Sequence, residues 1–535
     1  MKRDFKRLKE ESFDVLVVGG GIYGAWCAYD AALRGLKVAL IDKSDWAGGT
    51  SSASTKLIHG GLRYLEHLRL DLVHTSLEER KRLALLSPHM VQPLKFFVPI
   101  YDESRVGPLF LKTGLVLYDL LAGKGQPVPG HQSVSRRMTL SRYPFLKPVD
   151  LERGFTYGDC QMDDARFALD VVRGAAGVGA VAVNYVRATK LLMLEGHVAG
   201  AHVVDQFTKK RLCIKAQVVV NAVGPWISNL GQGHVMKQML RLSKGVHLVM
   251  PALPTGDAML LMTRRDNRVF FMVPWYGRTL LGTSDADYEG DPDKVAVTAR
   301  DVDYLLGEAN RYLGDRVWDK SSVLGAFAGL RALVNQPGKS ASDVSREWSL
   351  VEPKPGLMVS IGGKYTSARA DAAKMVDRIA AMLDLPPVRE TPTATRLMPS
   401  APTGNFKTWR QSARRLNIRV GMDAETANLS IIRHGTAVNE LRKLIRKKPS
   451  LARRIVADLP FCRAEIVHCA INEMVVHLDD LLRRRIPLMI LMQPDQVLVQ
   501  KIADQLGPLL GWNAATKQKE IENVMGLWPQ TRLSE

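Results

Sequence analysis

Residues 14–19 (DVLVVG) form a short valine-rich apolar run that stops at glycines, the pattern of a parallel strand buried on both faces. Behind it, Ile22, Ala25, Cys27, Ala28, Ala31 and Ala32 fall at helical spacing within 22–35, and 38–42 (VALID) read as a second buried strand. Strand, glycine turn, helix and strand in about 30 residues make one βαβ unit. Helical periodicity returns over 65–87 and 165–177, and strand-like runs fill 181–223. Residues 245–283 alternate as antiparallel strands, most clearly in FFMVPW and TLLGTS. LMVSI (357–361) predicts a late buried strand that runs into Gly362-Gly363-Lys364 and then a helix through about 383. The most apolar stretch, 106–122, is interrupted by Pro108, Lys112 and Asp119 and reads as a buried or an interfacial helix. No run of about 20 uncharged apolar residues occurs, so no spanning helix is expected. Five prolines between 384 and 404 predict a linker, and 405–525 show helical periodicity without convincing strands, which predicts a separate basic helical domain.

At 535 residues the chain is too long for one ordinary core. The formal net charge of +20 is compatible with nucleic acid, anionic lipid or phosphorylated small molecules, and charge alone does not choose. The five cysteines (27, 160, 213, 462, 469) are odd in number and include no CxxC. That excludes a disulfide framework or zinc ribbon and favours a reducing compartment. The charged N-terminus MKRDFKRLKEESFD has no apolar segment of a signal peptide.

Gly19-Gly20-Gly21-Ile22-Tyr23-Gly24 is a GxGxxG between strand and helix. Gly19 permits the tight turn, Gly21 a close approach to a pyrophosphate, and Gly24 the packing of helix on strand. The helix N-terminus at Ile22 offers free N–H groups to phosphates. Asp42 closes the second strand where an acid bonds ribose hydroxyls. The segment GGTSSASTKLIHGGLRY (48–64) can bring many N–H groups against a large anionic cofactor, which favours FAD over NAD. Thr50, Ser51, Ser52, Ser54, Lys56, His59, Gly60, Gly61 and Leu62 are therefore assigned to the cofactor.

Val18–Gly35 and SSASTKLIHGGLRYLEH closely resemble the membrane-associated FAD-dependent glycerol-3-phosphate dehydrogenases. The likeness continues in order through YGDCQMDDARF (157–167), NAVGPW (221–226), KGVHLV (244–249), GTSDADYEGDP (282–292), GLRAL (329–333), SREWSL (345–350), GGKYTSAR (362–369) and a helical tail with IIRHGT and INEMVVHLDDLLRRR. Ala332 and Ala368 depart from the proline and tyrosine usual in that family, and Tyr23 from its asparagine. The resemblance implies an α/β fold: an FAD-binding Rossmann-like domain of the glutathione reductase/D-amino-acid oxidase type, an antiparallel-sheet substrate cap and an all-α C-terminal domain. FAD-binding parts are expected at about 12–75, 150–243 and 325–385, cap parts at 76–149 and 244–324, a linker at 386–404 and the helical domain at 405–535. It extends the cofactor contacts to Val186, Ala222, Gly224, Gly363, Lys364, Tyr365 and Thr366.

The resemblance implies that glycerol 3-phosphate is oxidised to dihydroxyacetone phosphate, with electrons passed to a quinone by a peripheral, dimeric enzyme on the cytoplasmic face of the inner membrane. A phosphate dianion favours arginine's paired donors. Arg63, Arg331 and Arg346 lie in matching blocks, with Tyr64, His247, Lys364 and Thr366 as further substrate contacts. Oxidation requires a base for the hydroxyl proton; His247 and His59 are candidates, and His247 is chosen, with Arg331 as its catalytic partner. Asp163, Asp164 and Arg166 are given a helix-capping and ion-pairing role. No metal site is expected: Cys469, Glu473 and His477 share a helix face without a further ligand pattern. RKLIRKK and LLRRRI lack the aromatic interleaving of a nucleic-acid surface, so no nucleic-acid partner is expected. The competing readings are an oxygen-using oxidase of the same substrate, an amine or amino-acid oxidase of the same fold and, remotely, a basic nucleic-acid scaffold on a vestigial flavin fold.

Overall fold

In the computed structural model, residues 1–230, 238–315, 317–336, 347–493 and 495–527 are described, except for the side chains of Arg63, His67 and Asn229. The strands, in chain order, are β1 (Ser12–Val18), β2 (Val38–Ile41), β3 (Leu57–Ile58), β4 (Gln92–Tyr101), β5 (Gln132–Ser135), β6 (Leu151–Gln161), β7 (Val181–Val183), β8 (Val186–Leu194), β9 (His197–Asp205), β10 (Arg211–Asn221), β11 (Leu240–Pro251), β12 (Ala258–Met262), β13 (Val269–Trp275), β14 (Arg278–Gly282), β15 (Ala286–Asp287), β16 (Gly325–Val334), β17 (Trp348–Lys354) and β18 (Leu357–Gly362).

The valine-rich runs form the first sheet, ordered β17-β18-β10-β1-β2-β7, with β8 and β9 hairpinned off β10. β1 lies parallel between β10 and β2, and Val15, Leu16, Val17 and Leu40 are completely buried. The helix Ile22–Leu33 packs with Asp164–Gly177 and Ala368–Met382 against one face. Alanines at 25, 28 and 31 let these helices approach closely.

The second sheet is ordered β15-β11-β14-β13-β12-β4-β6-β3, with β16 on β11 and β5 on β6. Some of its strands come from outside the expected cap parts. β6 (within 150–243) and β16 (within 325–385) were expected with the cofactor-binding part, yet β6 pairs with β4 along its length and β16 with β11 from Val249 to Leu240. Strand periodicity gives a face but not a partner, so sequence could not place them.

In the proline-rich 386–404 segment, residues 386–390 are exposed and the part from Thr391 onward packs against the first sheet's helices. Thr391 and Thr393 hydroxyls donate to buried Asp30, Met398 N donates to Leu86 O at 2.9 Å, and Thr393, Met398 and Ser400 are buried. Beyond it the described residues are helical, from Phe406–Arg419 to Ala514–Gly526. These helices share one core with the second sheet: Leu478, Leu482 and Ile502 pack with Phe96, Tyr157 and Phe327. No helix among the described residues is long and apolar enough to cross a membrane. The five cysteines are unpaired; Cys27, Cys160, Cys462 and Cys469 are buried, and Cys213 is half-buried beside His202.

Candidate functional site

One elongated cavity of about 670 Å³ runs from the C-terminal ends of β1, β2 and β10, past the turn after β18, to the floor made by β11 and β16. Its volume suits a large ligand. At its first end Gly19 holds φ +111°, and a Cβ there would come 2.6 Å from Ala222 O. A Cβ on Gly24 would come 1.9 Å from Gly19 O, so Gly24 sets the contact of helix with turn without lining the cavity. Asp42 ties this end together: Oδ2 accepts from Gly20 N at 2.6 Å, and Oδ1 from Ser44 N at 2.8 Å and Ser44 Oγ at 3.0 Å. Burial pushes its carboxyl above the usual range, against the pull of these donors. Ile22 N donates to Ser51 Oγ at 2.9 Å, which brings the 49–55 segment against the helix N-terminus. Trp226 lies over Gly49, carries Lys43 on its ring at 4.2 Å and donates to Asp293 at 2.9 Å, tying the second sheet's loops to this end.

Of the residues assigned to the cofactor from sequence, Gly19, Gly21, Ile22, Asp42, Thr50, Ser51, Ser54, His59, Val186, Ala222, Gly224, Gly363, Lys364, Tyr365 and Thr366 line the cavity. Ser52, Lys56, Gly60, Gly61 and Leu62 do not. Ser52 Oγ turns to Gly49 O; Lys56 Nζ points away, into Asp164 at 2.5 Å. Gly60 N donates to Asp159 at 3.0 Å, Gly61 turns the chain at φ +77°, and Leu62 packs into the core. Residues so close in sequence alternate in direction, which a block resemblance does not resolve. His59 N donates to Thr366 Oγ1 at 3.2 Å, and Lys364 Nζ lies 4.3 Å above the Tyr64 ring.

At the other end, β11 and β16 pair so that Ser243 faces Arg331, Gly245 faces Gly329, and His247 faces Phe327. Alternation puts all six on one face of the sheet. The glycine pair lets neighbouring groups close down on the sheet between His247 and Arg331, each two residues away, or about 7 Å along the strands. Both places are taken: a Cβ on Gly329 would come 2.6 Å from Ala53 Cβ, and one on Gly245 would come 2.3 Å from Arg331 Nη2, so Ala53 and the Arg331 guanidinium lie directly over the glycines. His247 stacks on Phe327 at 4.9 Å, and its Nε2 lies 3.0 Å from Thr55 Oγ1. Burial, then the charges of Arg331 and Lys56, hold its imidazolium well below the usual histidine range.

Tyr64, His247, Arg331, Lys364 and Thr366 line this cavity together. Arg346 and the Arg63 side chain lie outside the described residues. Thr55, Gly245 and Gly329 also line it and were not singled out from sequence; only the alternation of KGVHLV and AGLRAL could have signalled the glycines. Tyr23, read from the sequence only as a departure from the family's asparagine, also lines the cavity. Its hydroxyl accepts from Lys364 N at 3.0 Å and donates to Asp371 at 2.8 Å, pinning the 362–366 turn to the glycine-loop helix. Glycine at 363 makes room, since a Cβ there would lie 1.8 Å from that hydroxyl.

Behind the first end, Asp45 is wholly buried and accepts from Arg485 Nη1 at 2.8 Å, Arg485 Nη2 at 2.9 Å and Arg484 Nε at 2.6 Å, both from the helical region. Asp163 caps its helix by accepting from Arg166 N, while the Arg166 side chain reaches Glu473 at 2.5 and 2.8 Å. His434, His468 and Glu473 cluster at ligand-like spacing, but the Arg166 guanidinium donates to both Glu473 and His434 Nδ1, so a cation already fills that place. Cys469, Glu473 and His477 do not converge: His477 pairs with Glu520 at 2.7 Å.

Residues 14–369 match the family of FAD dependent oxidoreductases, and residues 400–517 match the C-terminal domain of alpha-glycerophosphate oxidase. The chain is 34% identical over 527 residues to glycerol-3-phosphate dehydrogenase 2 of Mycobacterium tuberculosis, covering 97% of this chain and 89% of that protein. The FAD-complexed glycerol-3-phosphate dehydrogenase of Bacillus halodurans superposes with a TM-score of 0.78 at 26% identity, covering 99% and 96%. The FAD-bound L-alpha-glycerophosphate oxidase of Mycoplasma pneumoniae shares the fold with a TM-score of 0.54 at 18% identity, over 72% of this chain and 99% of that one.

Proposed function

Because the chain belongs to the family of FAD-dependent glycerol-3-phosphate dehydrogenases, we propose that it oxidises sn-glycerol 3-phosphate at C2 to dihydroxyacetone phosphate and delivers the electrons to a quinone. The observation that carries the reading is that His247 and Arg331, on one face of β11 and β16, line the same cavity as the glycine-loop turn. The residues fit FAD: Gly19 and Gly21 leave backbone open to a pyrophosphate, Asp42 stands at the ribose end, and Thr50, Ser51 and Gly363 to Thr366 flank the groove. Bound there, FAD supplies the hydride acceptor, the chemistry no side chain offers.

The protein's own residues bind, orient and deprotonate. Arg331 and Lys364 present cationic groups to the phosphate. The His247 imidazole takes the C2 hydroxyl proton at Nε2, where Thr55 Oγ1 holds the ring's orientation. A dianion placed between Arg331 and His247 offsets the positive charge that depresses the imidazole, so substrate raises the basicity of its own base. Phe327 behind the ring and the buried strand faces exclude water.

A lipid-soluble acceptor is supported by the helix Pro108–Ala122, which carries exposed apolar side chains beside buried ones. Leu109, Phe110 and Leu120 are 78%, 64% and 75% exposed, with Leu68 80% exposed on the adjoining turn. That turn follows Leu62–His67, whose Tyr64 lines the cavity. Lys112 and Lys124 are exposed on and just beyond the helix, and each cation near an anionic surface contributes roughly 1 kcal/mol. A peripheral homodimer on the cytoplasmic face of the inner membrane is part of this reading. Anaerobic glycerol 3-phosphate should bleach the oxidised-flavin bands of the purified protein; an unchanged spectrum removes the substrate. Peroxide yield measured against quinone reduction separates this reading from the oxidase, and sedimentation with anionic vesicles tests the lipid surface.

A further inference from the structure

Arg331 meets more than a cavity. The gap left by Gly245 lets its guanidinium lie flat on β11. Nη1 donates to Asp285 Oδ1 at 3.0 Å and Ser243 Oγ at 3.3 Å; Nη2 donates to Thr283 Oγ1 at 2.8 Å and Ser284 O at 3.3 Å. Ser243 Oγ donates to the same Asp285 oxygen. Each terminal N–H of the fork therefore already faces an oxygen of the chain. Asp285 itself does not line the cavity and its side chain is 6% exposed. A second cation stands behind it: Arg268 Nη1 donates to Asp285 O at 2.6 Å and lies 4.0 Å from Oδ2.

A phosphate needs the N–H pair that Asp285 and its neighbours hold. We propose that Asp285 is a specificity-determining counter-ion, which occupies the Arg331 guanidinium until a phosphate dianion displaces it. This rests on reading Arg331 as the phosphate-binding group. Displacement has a charge threshold. An intramolecular carboxylate pays no association entropy, so a bound monoanion gains nothing by replacing it, and a neutral polyol loses the ion pair outright. A dianion brings a second charge to the same guanidinium and to Lys364 across the cavity. The pair thereby selects phosphate monoesters over glycerol and over 2-hydroxy carboxylates, and it limits how long a phosphorylated product stays.

The test uses the full-length FAD-loaded protein and Asp285→Asn, whose amide oxygen still accepts from Ser243 and Arg331 while the charge is gone. Inorganic phosphate and glycerate are the probes, titrated at pH 8 through the flavin absorbance and as competitive inhibitors. Phosphate should bind about tenfold tighter in Asp285→Asn, with glycerate gaining at least as much, while kcat changes less than about threefold and KM falls. Arg268→Gln, which removes the cation competing for the carboxylate, should act in the opposite sense and weaken phosphate about threefold. Opposite signs from two neighbouring substitutions are not what a merely structural contact gives. The proposal is overturned by phosphate binding that is unchanged or weaker in Asp285→Asn at normal FAD content, or that neither parent nor variant shows. If Asp285→Asn does not retain FAD, an unweakened phosphate affinity in Arg268→Gln overturns it. Flavin that glycerol 3-phosphate fails to bleach, with phosphate still tightening in Asp285→Asn, defeats the substrate reading and leaves the counter-ion standing.

Discussion

Replacing Arg485 by methionine removes the donor pair that closes on Asp45 and keeps an unbranched apolar stem in its place. Asp45 then keeps Arg484 at 2.6 Å and Asn184 at 3.4 Å but loses bonds of 2.8 and 2.9 Å, and Glu473 O loses its donor at 2.9 Å. In the native protein burial raises the Asp45 carboxyl, and the charges of Arg485 and Arg484 more than reverse that, leaving it below the usual range. Asp480, raised to about 6 by burial and by Asp45, shares the same arginines. Removing one partner of a buried pair typically costs about 3–5 kcal/mol. With an unfolding entropy of about 2.1 cal/mol/K per residue, a 535-residue chain unfolding as one unit has roughly 1.1 kcal/mol/K, so Tm should fall by about 3–5 °C. The loop that Asp45 anchors also supplies Asp42, Lys43, Ser44, Gly48 and Gly49 to the cavity. FAD should therefore dissociate at least about tenfold more readily, equivalent to about 1.4 kcal/mol, while kcat of FAD-saturated enzyme stays within twofold. Differential scanning fluorimetry of apoprotein and flavin-fluorescence release on dilution read the two effects. An Arg485→Met protein with the parent's Tm and the parent's FAD release would show that the helical region does not support the cofactor loop.

Three further substitutions probe other parts of the structure. His247→Ala should lower turnover at least about a hundredfold with FAD content intact; full turnover with the parent's pH profile removes the proposed base. Gly24→Ala places a methyl 1.9 Å from Gly19 O, so the turn must open, and the protein should purify largely without flavin; stoichiometric FAD would contradict the packing described. His89 is buried with neither ring nitrogen hydrogen-bonded to protein, and burial lowers its pKa to about 4. Because the unfolded chain takes up that proton near pH 6.5 and the folded one does not, the native state has its full stability above 6.5 and loses it as pH falls toward 4. His89→Leu should thus lose about 2 kcal/mol less than the parent between pH 7.5 and 5 in urea titrations; equal losses would place the proton elsewhere.

The first crossover was legible because its signals are local. A buried valine run, a glycine turn and a small-residue helix are each constrained by their neighbours in sequence, and the turn that folds from them leaves no space for a Cβ at Gly19 or Gly24. Legibility fails where meaning depends on pairing. Gly245 and Gly329 look like ordinary strand glycines until β11 and β16 set them face to face. Thr55 differs from Ser54 and Lys56 only in direction, yet it is the one that meets His247. Asp42 was read as a ribose ligand, and it also binds the turn itself through Gly20 N. In the proline-rich segment the packing of its second half was not legible, because prolines report extended backbone, not burial, and the residues that pack it are isolated ones such as Thr393 and Met398.

The thiols bear on how this protein ages. A flavin enzyme works beside oxygen, and peroxide attacks thiolates rather than thiols. Burial pushes Cys160 up to about 12 and lifts Cys27, Cys462 and Cys469 higher still, so these four are shielded by protonation as well as by packing. Of the five, only Cys213, half-buried on a strand pair outside the cavity lining, is open enough for peroxide to reach.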